Sequence, residues 1–305
     1  MTNKICIYAI CKNEMKYAAK WLDSMSEADY IVILDTGSTD GTYEFFKNDP
    51  RVTRIEQKVI KPWRFDVARN ESMKLVPEDA NILFSTDLDE LLDPGWGDLI
   101  REKWTENTWR GHYQYAWSHT ATGEIAETFW YDKMHIRGYK WHYAVHEVLL
   151  PPQGYKDLIR EKDEGHLIDF GNEIVLHHYP DQTKSRSNYL ELLELRVKED
   201  PQEVYGPYLL GREYGNLQRF DDAVKQFDYC LNLPEINQFP LVKYCVLGYL
   251  GDIYGIKGDY ANAMRYYNKQ LIINKTYREP YYNLANIYNM LGFYSIAEKF
   301  MVEGL

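Results

Sequence analysis

The sequence predicts an α/β unit with a mainly parallel, Rossmann-like sheet, followed by an all-α stack of paired helices. Three observations predict it. Over the first part of the chain, short apolar runs alternate with helical stripes, the pattern of right-handed β-α-β units. Several of those runs stop on a cluster of polar and acidic residues. From about Asn188 the pattern becomes purely helical and repeats itself. The 305 residues have room for about two domains, divided here into 1–185 and 186–305.

Ile5 to Ile10 reads as a buried strand that ends at Cys11-Lys12-Asn13-Glu14. Ala18, Trp21, Leu22 and Met25 then fall at i, i+3, i+4 and i+7, one face of a helix. Tyr30 to Leu34 is the second strand, closed by Asp35-Thr36-Gly37-Ser38-Thr39-Asp40-Gly41, a cluster that can cap a helix over Tyr43 to Lys47. Val52 to Gln57 is the third strand, and Trp63 to Asn70 leads into a helix toward Leu75. The fourth strand, Asn81 to Ser85, stops on two aspartates one residue apart, Asp87 and Asp89. Asp93-Pro94 follows, a step suited to starting a helix.

This order puts Cys11 to Glu14, Asp35 to Asp40 and Asp87 to Glu90 at the carboxyl ends of strands. In open α/β sheets that edge is where ligands bind. Carboxylate oxygens suit Mg²⁺ or Mn²⁺, which usually takes one or two carboxylates plus substrate phosphates. Helix capping is the plain alternative for Asp87 and Asp89.

Composition narrows the ligand. Lys and Arg number 35 against 46 Asp and Glu, a formal charge of −11, which argues against a nucleic-acid or anionic-membrane partner. A chain this short of cations gains from a metal when it binds a diphosphate. Cys6, Cys11, Cys230 and Cys245 show no Cys-x-x-Cys spacing, which fits a reducing compartment. No apolar run has membrane-spanning length and the first residues lack signal-peptide organisation, so the expected location is the cytoplasm. Neither Gly-x-Gly-x-x-Gly nor a P-loop motif occurs.

Four motifs in order, Ile10-Cys11-Lys12-Asn13-Glu14, Asp35-Thr36-Gly37-Ser38-Thr39-Asp40, Phe65-Asp66-Val67-Ala68-Arg69-Asn70 and Asp87-Leu88-Asp89-Glu90, resemble those of family 2 glycosyltransferases of the GT-A fold. The resemblance spans roughly the first 180 residues. It implies inverting transfer from a UDP-sugar with Mn²⁺ or Mg²⁺ bound. By the same resemblance Cys11, Asn13, Glu14 and Asp35 surround the base and ribose, and Asp66 and Arg69 lie beside the nucleotide. Asp87 and Asp89 would then face ribose, metal and diphosphate. A helix cap for Asp66 and a surface ion pair for Arg69 are the alternatives.

Further along, Gly111 to Trp117 is strand-like, and Val145-His146-Glu147 matches a step that lies near the acceptor in this group of enzymes. Glu147 or His146 is therefore the candidate base, since inverting transfer needs the acceptor's proton removed during attack. On a strand, only one of the two side chains would reach the cleft. In Leu176-His177-His178-Tyr179-Pro180 a histidine, His178 or its neighbour His177, is a candidate to complete the metal shell, with a packed histidine pair and a solvated basic turn as the alternatives for this stretch. Lys184 and Arg186 are the candidate diphosphate clamp.

In the helical part, Gly211, Tyr214, Phe220, Ala223 and Phe227 have counterparts 40 positions on at Gly251, Tyr254, Tyr260, Ala263 and Tyr267. Ala285, Tyr288, Tyr294 and Ala297 follow after another 34, the tetratricopeptide period. The extra residues fall in the loop Leu233 to Pro240. Such repeats bind polypeptides, or else prop up the catalytic domain or form a homodimer. The combination is similar to bacteriocin-peptide S-glycosyltransferases and related protein glycosyltransferases. It implies a nucleotide sugar as donor and a protein or peptide acceptor on the repeats. An enzyme of cell-surface glycan or lipid-linked saccharide synthesis, and an inactive repeat scaffold, are the alternatives.

Overall fold

The computed structural model of the protein describes residues 3–152, 165–181 and 189–304. The chain divides into two compact units, Met1–Ser185 and Arg186–Leu305. No described helix is long and apolar enough to cross a membrane.

The first unit opens as β1 (Ile5–Cys11), α1 (Met15–Ser24), β2 (Tyr30–Asp35), α2 (Thr42–Asn48), β3 (Arg54–Gln57), α3 (Phe65–Met73) and β4 (Ile82–Ser85). Strands β3, β2, β1 and β4 lie side by side in that order, all parallel. β1 is covered on both faces, which explains its unbroken apolar run. Ile5, Ile7 and Ala9 pack on one side with Trp21, Phe46 and Trp96. Cys6 and Tyr8 pack on the other with Val32, Leu34 and Trp141.

Beyond β4, antiparallel pairs join the parallel ones of a mainly parallel sheet. β5 (Glu90–Leu92) and α4 (Trp96–Lys103) come first, then β6 (Arg110–His119) and β7 (Ile125–His135), an antiparallel hairpin. After the short β8 (Lys140–His142) and β9 (Val148–Leu150) come β10 (Leu167–Asp169) and β11 (Val175–His178). The sheet continues β4-β7-β6-β11-β5, with β10 also paired to β6. β7 meets β4 only through Met134 and His135, so the outer part of the hairpin runs on past the parallel strands. The capping alternative for Asp87 and Asp89 fails on this geometry. β5 lies between them and α4, which starts behind Gly95 at φ +94°.

The second unit is all helix among its described residues, apart from a 3₁₀ turn at Ile236–Gln238. Its helices are α5 (Tyr189–Glu199), α6 (Tyr205–Asn216), α7 (Phe220–Leu231), α8 (Pro240–Ile256), α9 (Tyr260–Ile273), α10 (Glu279–Met290) and α11 (Tyr294–Glu303). The repeated glycines mark where paired helices touch. A Cβ on Gly211 would stand 2.6 Å from the Phe227 ring, and one on Gly251 would stand 2.5 Å from Tyr267. The extra residues of the first repeat form the 3₁₀ turn, and Pro240 then opens α8 at its first turn, where a missing N–H costs nothing.

Candidate active site: a charge cluster at the carboxyl edge of the sheet

Parallel pairing brings the ends of β1, β2 and β4 to one edge, as the sequence pattern requires. The first two ends are laced together. Asn13, at φ +56°, donates its N–H to Ser38 Oγ at 2.8 Å, and its Oδ1 accepts from Thr39 N at 2.8 Å. Glu14 N donates to Thr42 Oγ1 at 2.9 Å, and Met15 N to Asp40 Oδ2 at 3.1 Å. Asp35 is fully buried. Its Oδ1 accepts from Gly37 N, Ser38 N and Gln57 Nε2 at 2.8–2.9 Å, and the Cys11 thiol donates to Oδ2 at 3.4 Å. Burial opposes ionisation of Asp35, but the donors from Ser38, Gln57 and Gly37 outweigh it and hold the carboxyl below its usual range. Cys11, Asn13, Glu14 and Asp35 thus build a preformed loop pair, with Asp35 acting first as its internal tie.

At the end of β4 lies a network of opposite charges. Arg69 is 5 % exposed. It donates from Nε to Glu147 Oε1 at 2.5 Å, from Nη1 to Ser85 Oγ at 3.2 Å and from Nη2 to Asp87 at 2.9–3.0 Å. Its guanidinium also stands 5.0 Å from the centre of the Trp141 ring. On the far side Lys133 Nζ lies 3.7 Å from Asp87 and 3.2 Å from Glu90, whose other oxygen accepts from Asp87 N at 2.8 Å. Burial opposes the charge on Asp87, but Arg69 and Lys133 outweigh it and hold its carboxyl low. Burial dominates at Glu90 and raises its carboxyl.

Asp89 stands apart from these cations. His178 Nε2 is 3.7 Å from its Oδ2, and the other imidazole nitrogen lies 3.3 Å from Trp117 O. Tyr179 N donates to the Asp89 carbonyl at 2.8 Å, which fixes the end of β11 against the turn. Asp66 is buried in the first turn of α3, where its carboxylate accepts from Arg64 Nε and Nη2 at 3.0 and 2.9 Å.

His146 and Glu147 do not lie on a strand. They sit in the turn between β8 and β9, with Tyr143 at φ +75° and His146 at φ +48°. The turn leaves His146 exposed and brings Glu147 to Arg69. Lys184 and Arg186 lie outside the described residues. Sequence reasoning missed Lys133 and placed Glu90 in the motif without a role of its own. The signal for Lys133 was the spacing of Phe129, Tyr131 and Lys133, which share one strand face; its ammonium lies 4.9 Å from the centre of the Tyr131 ring and 5.9 Å from that of Tyr115.

The residues fit a divalent cation in a restricted way. No group of three or more His, Cys, Asp or Glu side chains set to hold a metal occurs among the described residues. Asp87 is engaged by two cations, which leaves Asp89 and His178 as the paired donors. Two protein donors suffice for an ion that completes its shell with water and substrate phosphate.

Residues 247–277 match the tetratricopeptide repeat family. The fold is an α/β unit on a mainly parallel, mixed sheet followed by a helical unit of tetratricopeptide type. The chain is also 32% identical over 95 residues to "Lipopolysaccharide core biosynthesis glycosyltransferase LpsC" of Rhizobium meliloti (strain 1021). That match covers 31% of this chain and 35% of the relative, so the chain spans about a third of the relative's length. Among solved structures, "MamA MSR-1 C2" is 19% identical over 39% of this chain and 64% of its own, with a TM-score of 0.33. "Functional Characterization of Pseudomonas Aeruginosa pilF" is 16% identical over 38% of this chain and 51% of its own, with a TM-score of 0.34.

Proposed function

We propose that the first unit is a metal-dependent, inverting glycosyltransferase that takes its sugar from a UDP-sugar. The observation that carries this reading is the buried charge network of Arg69, Asp87, Lys133 and Glu147 at the end of β4, with Asp89 and His178 beside it. The printed name of the Rhizobium relative supports the reaction class. In this reading the laced loops of Cys11 to Glu14 and Asp35 to Asp40 receive the nucleoside. Arg69 and Lys133 keep Asp87 ionised and in place. Asp89 and His178 would hold Mn²⁺ or Mg²⁺, which would supply Lewis-acid neutralisation of the diphosphate. Glu147, fixed by Arg69, is the base that takes the acceptor's proton; His146 is the alternative.

Two acceptors have support. The tetratricopeptide match favours a polypeptide recruited by the second unit. The relative's printed name favours a saccharide. One experiment tests the shared reading. The protein is incubated with a panel of nucleotide sugars and Mn²⁺, and released nucleotide is measured. A uridine donor should be hydrolysed slowly, and Asp89→Ala should abolish that turnover while the circular dichroism spectrum stays native. Equal turnover in excess chelator, or full activity in the variant, rejects metal-dependent transfer.

A further inference from the structure

The outer part of the β6–β7 hairpin carries aromatic rings that the proposed chemistry does not use. Within the sheet, Tyr115 and Tyr131 stack with centroids 4.1 Å apart, over the Lys133 ammonium. Tyr115 pairs across the strands with Phe129, and Trp117 meets Phe129 edge to face at 6.1 Å. Tyr115 is buried, whereas Trp117 is 38% exposed and Phe129 52% exposed. A register shift between Ala116 and Ser118 gives β6 an extra residue there, Trp117. Further out on β6, His119 bonds His177 and stacks on Tyr179.

The row therefore runs in one direction, from buried rings over Lys133 to exposed rings at the rim. It also joins the candidate site. The Trp117 ring lies 4.8 Å from the ring of His178, whose Nε2 is 3.7 Å from Asp89. Large aromatics left exposed beside a polar site mark a ligand surface. Their ring faces suit a partner with one apolar face, and the polar site at the end of the row suits one with hydroxyl edges. A pyranose ring has both. A polypeptide taken along a strand edge or in a helical groove calls for no line of rings leading to a carboxylate–imidazole pair, whereas a proline-rich one would use ring faces and is the competing occupant in the test below.

We propose that Trp117 and Phe129 on the β6–β7 hairpin form a saccharide platform that seats the acceptor sugar beside Asp89 and His178. This rests on the glycosyl-transfer reading above and names its acceptor class. The platform is tested by binding alone, with no donor present. Delipidated core oligosaccharide from a bacterial lipopolysaccharide is titrated into the full chain, and tryptophan fluorescence and calorimetry are recorded. The wild type should bind it. Trp117→Ala and Phe129→Ala should each weaken binding about tenfold, the upper range of a single aromatic contact, and Trp117→Phe should restore most of the loss. Circular dichroism and the melting temperature show that each variant is folded. No saccharide binding by the wild type, equal affinity in Trp117→Ala, or capture of an unstructured, proline-rich peptide in place of the oligosaccharide overturns the proposal. Donor hydrolysis by the wild type is scored separately. Failure of the platform is thereby distinguished from failure of the transferase reading.

Discussion

Arg69 keeps its charge in a buried position because Asp87 and Glu147 accept from it on two sides. Burial opposes that charge, but the two carboxylates outweigh it and raise the guanidinium further. Arg69→Met should therefore leave two carboxylates facing an apolar chain, with only Lys133 to relieve Asp87. We expect a loss of about 3 kcal/mol in urea unfolding, the scale for breaking a buried pair from one side. An unchanged midpoint would mean that water solvates the cluster. Asp35 gives a pH signature. Its folded carboxyl lies below the unfolded value of about 3.9. Its contribution is thus present above that value and is lost as pH falls through the folded one. Asp35→Asn should be destabilising at neutral pH, and its difference from wild type should narrow in acid; a constant difference from neutral pH to pH about 3 would contradict the assignment. The place of Asp35 at the end of β2 was legible because it closes an apolar run. Lys133 was not legible, because a lysine between Asp132 and Met134 reads as surface until the partner strands turn its face inward.

At the scale of elements, the strands buried on both faces were plain in the sequence, since Ile5 to Ile10 and Tyr30 to Leu34 are nearly unbroken apolar runs. β5 was hidden. It has three residues, and its place is set by pairing with β11, more than 80 positions later, which no local pattern reveals. β7 was hidden for the opposite reason. Ile125 to Trp130 is exposed throughout, so it lacks the polar–apolar alternation of a half-buried strand. The turn holding His146 and Glu147 was hidden, because its positive φ falls on Tyr143 and His146 rather than on glycine, which no residue pattern announces. The repeat helices were legible through their glycines, and these give the prediction at this scale. Gly251→Ala should push a methyl group into the Tyr267 ring and cost about 1–3 kcal/mol, the range for overpacking. Gly255→Ala is the control, since no neighbour lies within 4 Å of its added Cβ. Equal melting temperatures for the two variants would show that α8 and α9 shift apart without cost.

For the molecule as a whole, two compact units with separate cores imply two unfolding events. Scanning calorimetry should resolve them. Uridine diphosphate with Mn²⁺ should raise only the transition of the α/β unit, by about 2.7 kcal/mol at a hundredfold excess over Kd. Gly251→Ala should lower only the other. A single transition displaced by both changes would show that the units unfold together. The sheet order has a consequence for how the chain acquires this structure. β1 needs β4, some 75 positions later, as a neighbour, and β5 must wait for β11, which ends at His178. The helix pairs close on neighbours within one repeat. Contact order therefore separates the two halves: local pairing lets the repeats form rapidly, whereas distant pairing delays the sheet. On the ribosome the nascent β1 to β4 emerge first but must hold an incomplete sheet, with one side of β4 unpaired, until the β6–β7 hairpin arrives. The side of β4 that later pairs β7 is, during synthesis, an open strand edge exposed to mispairing.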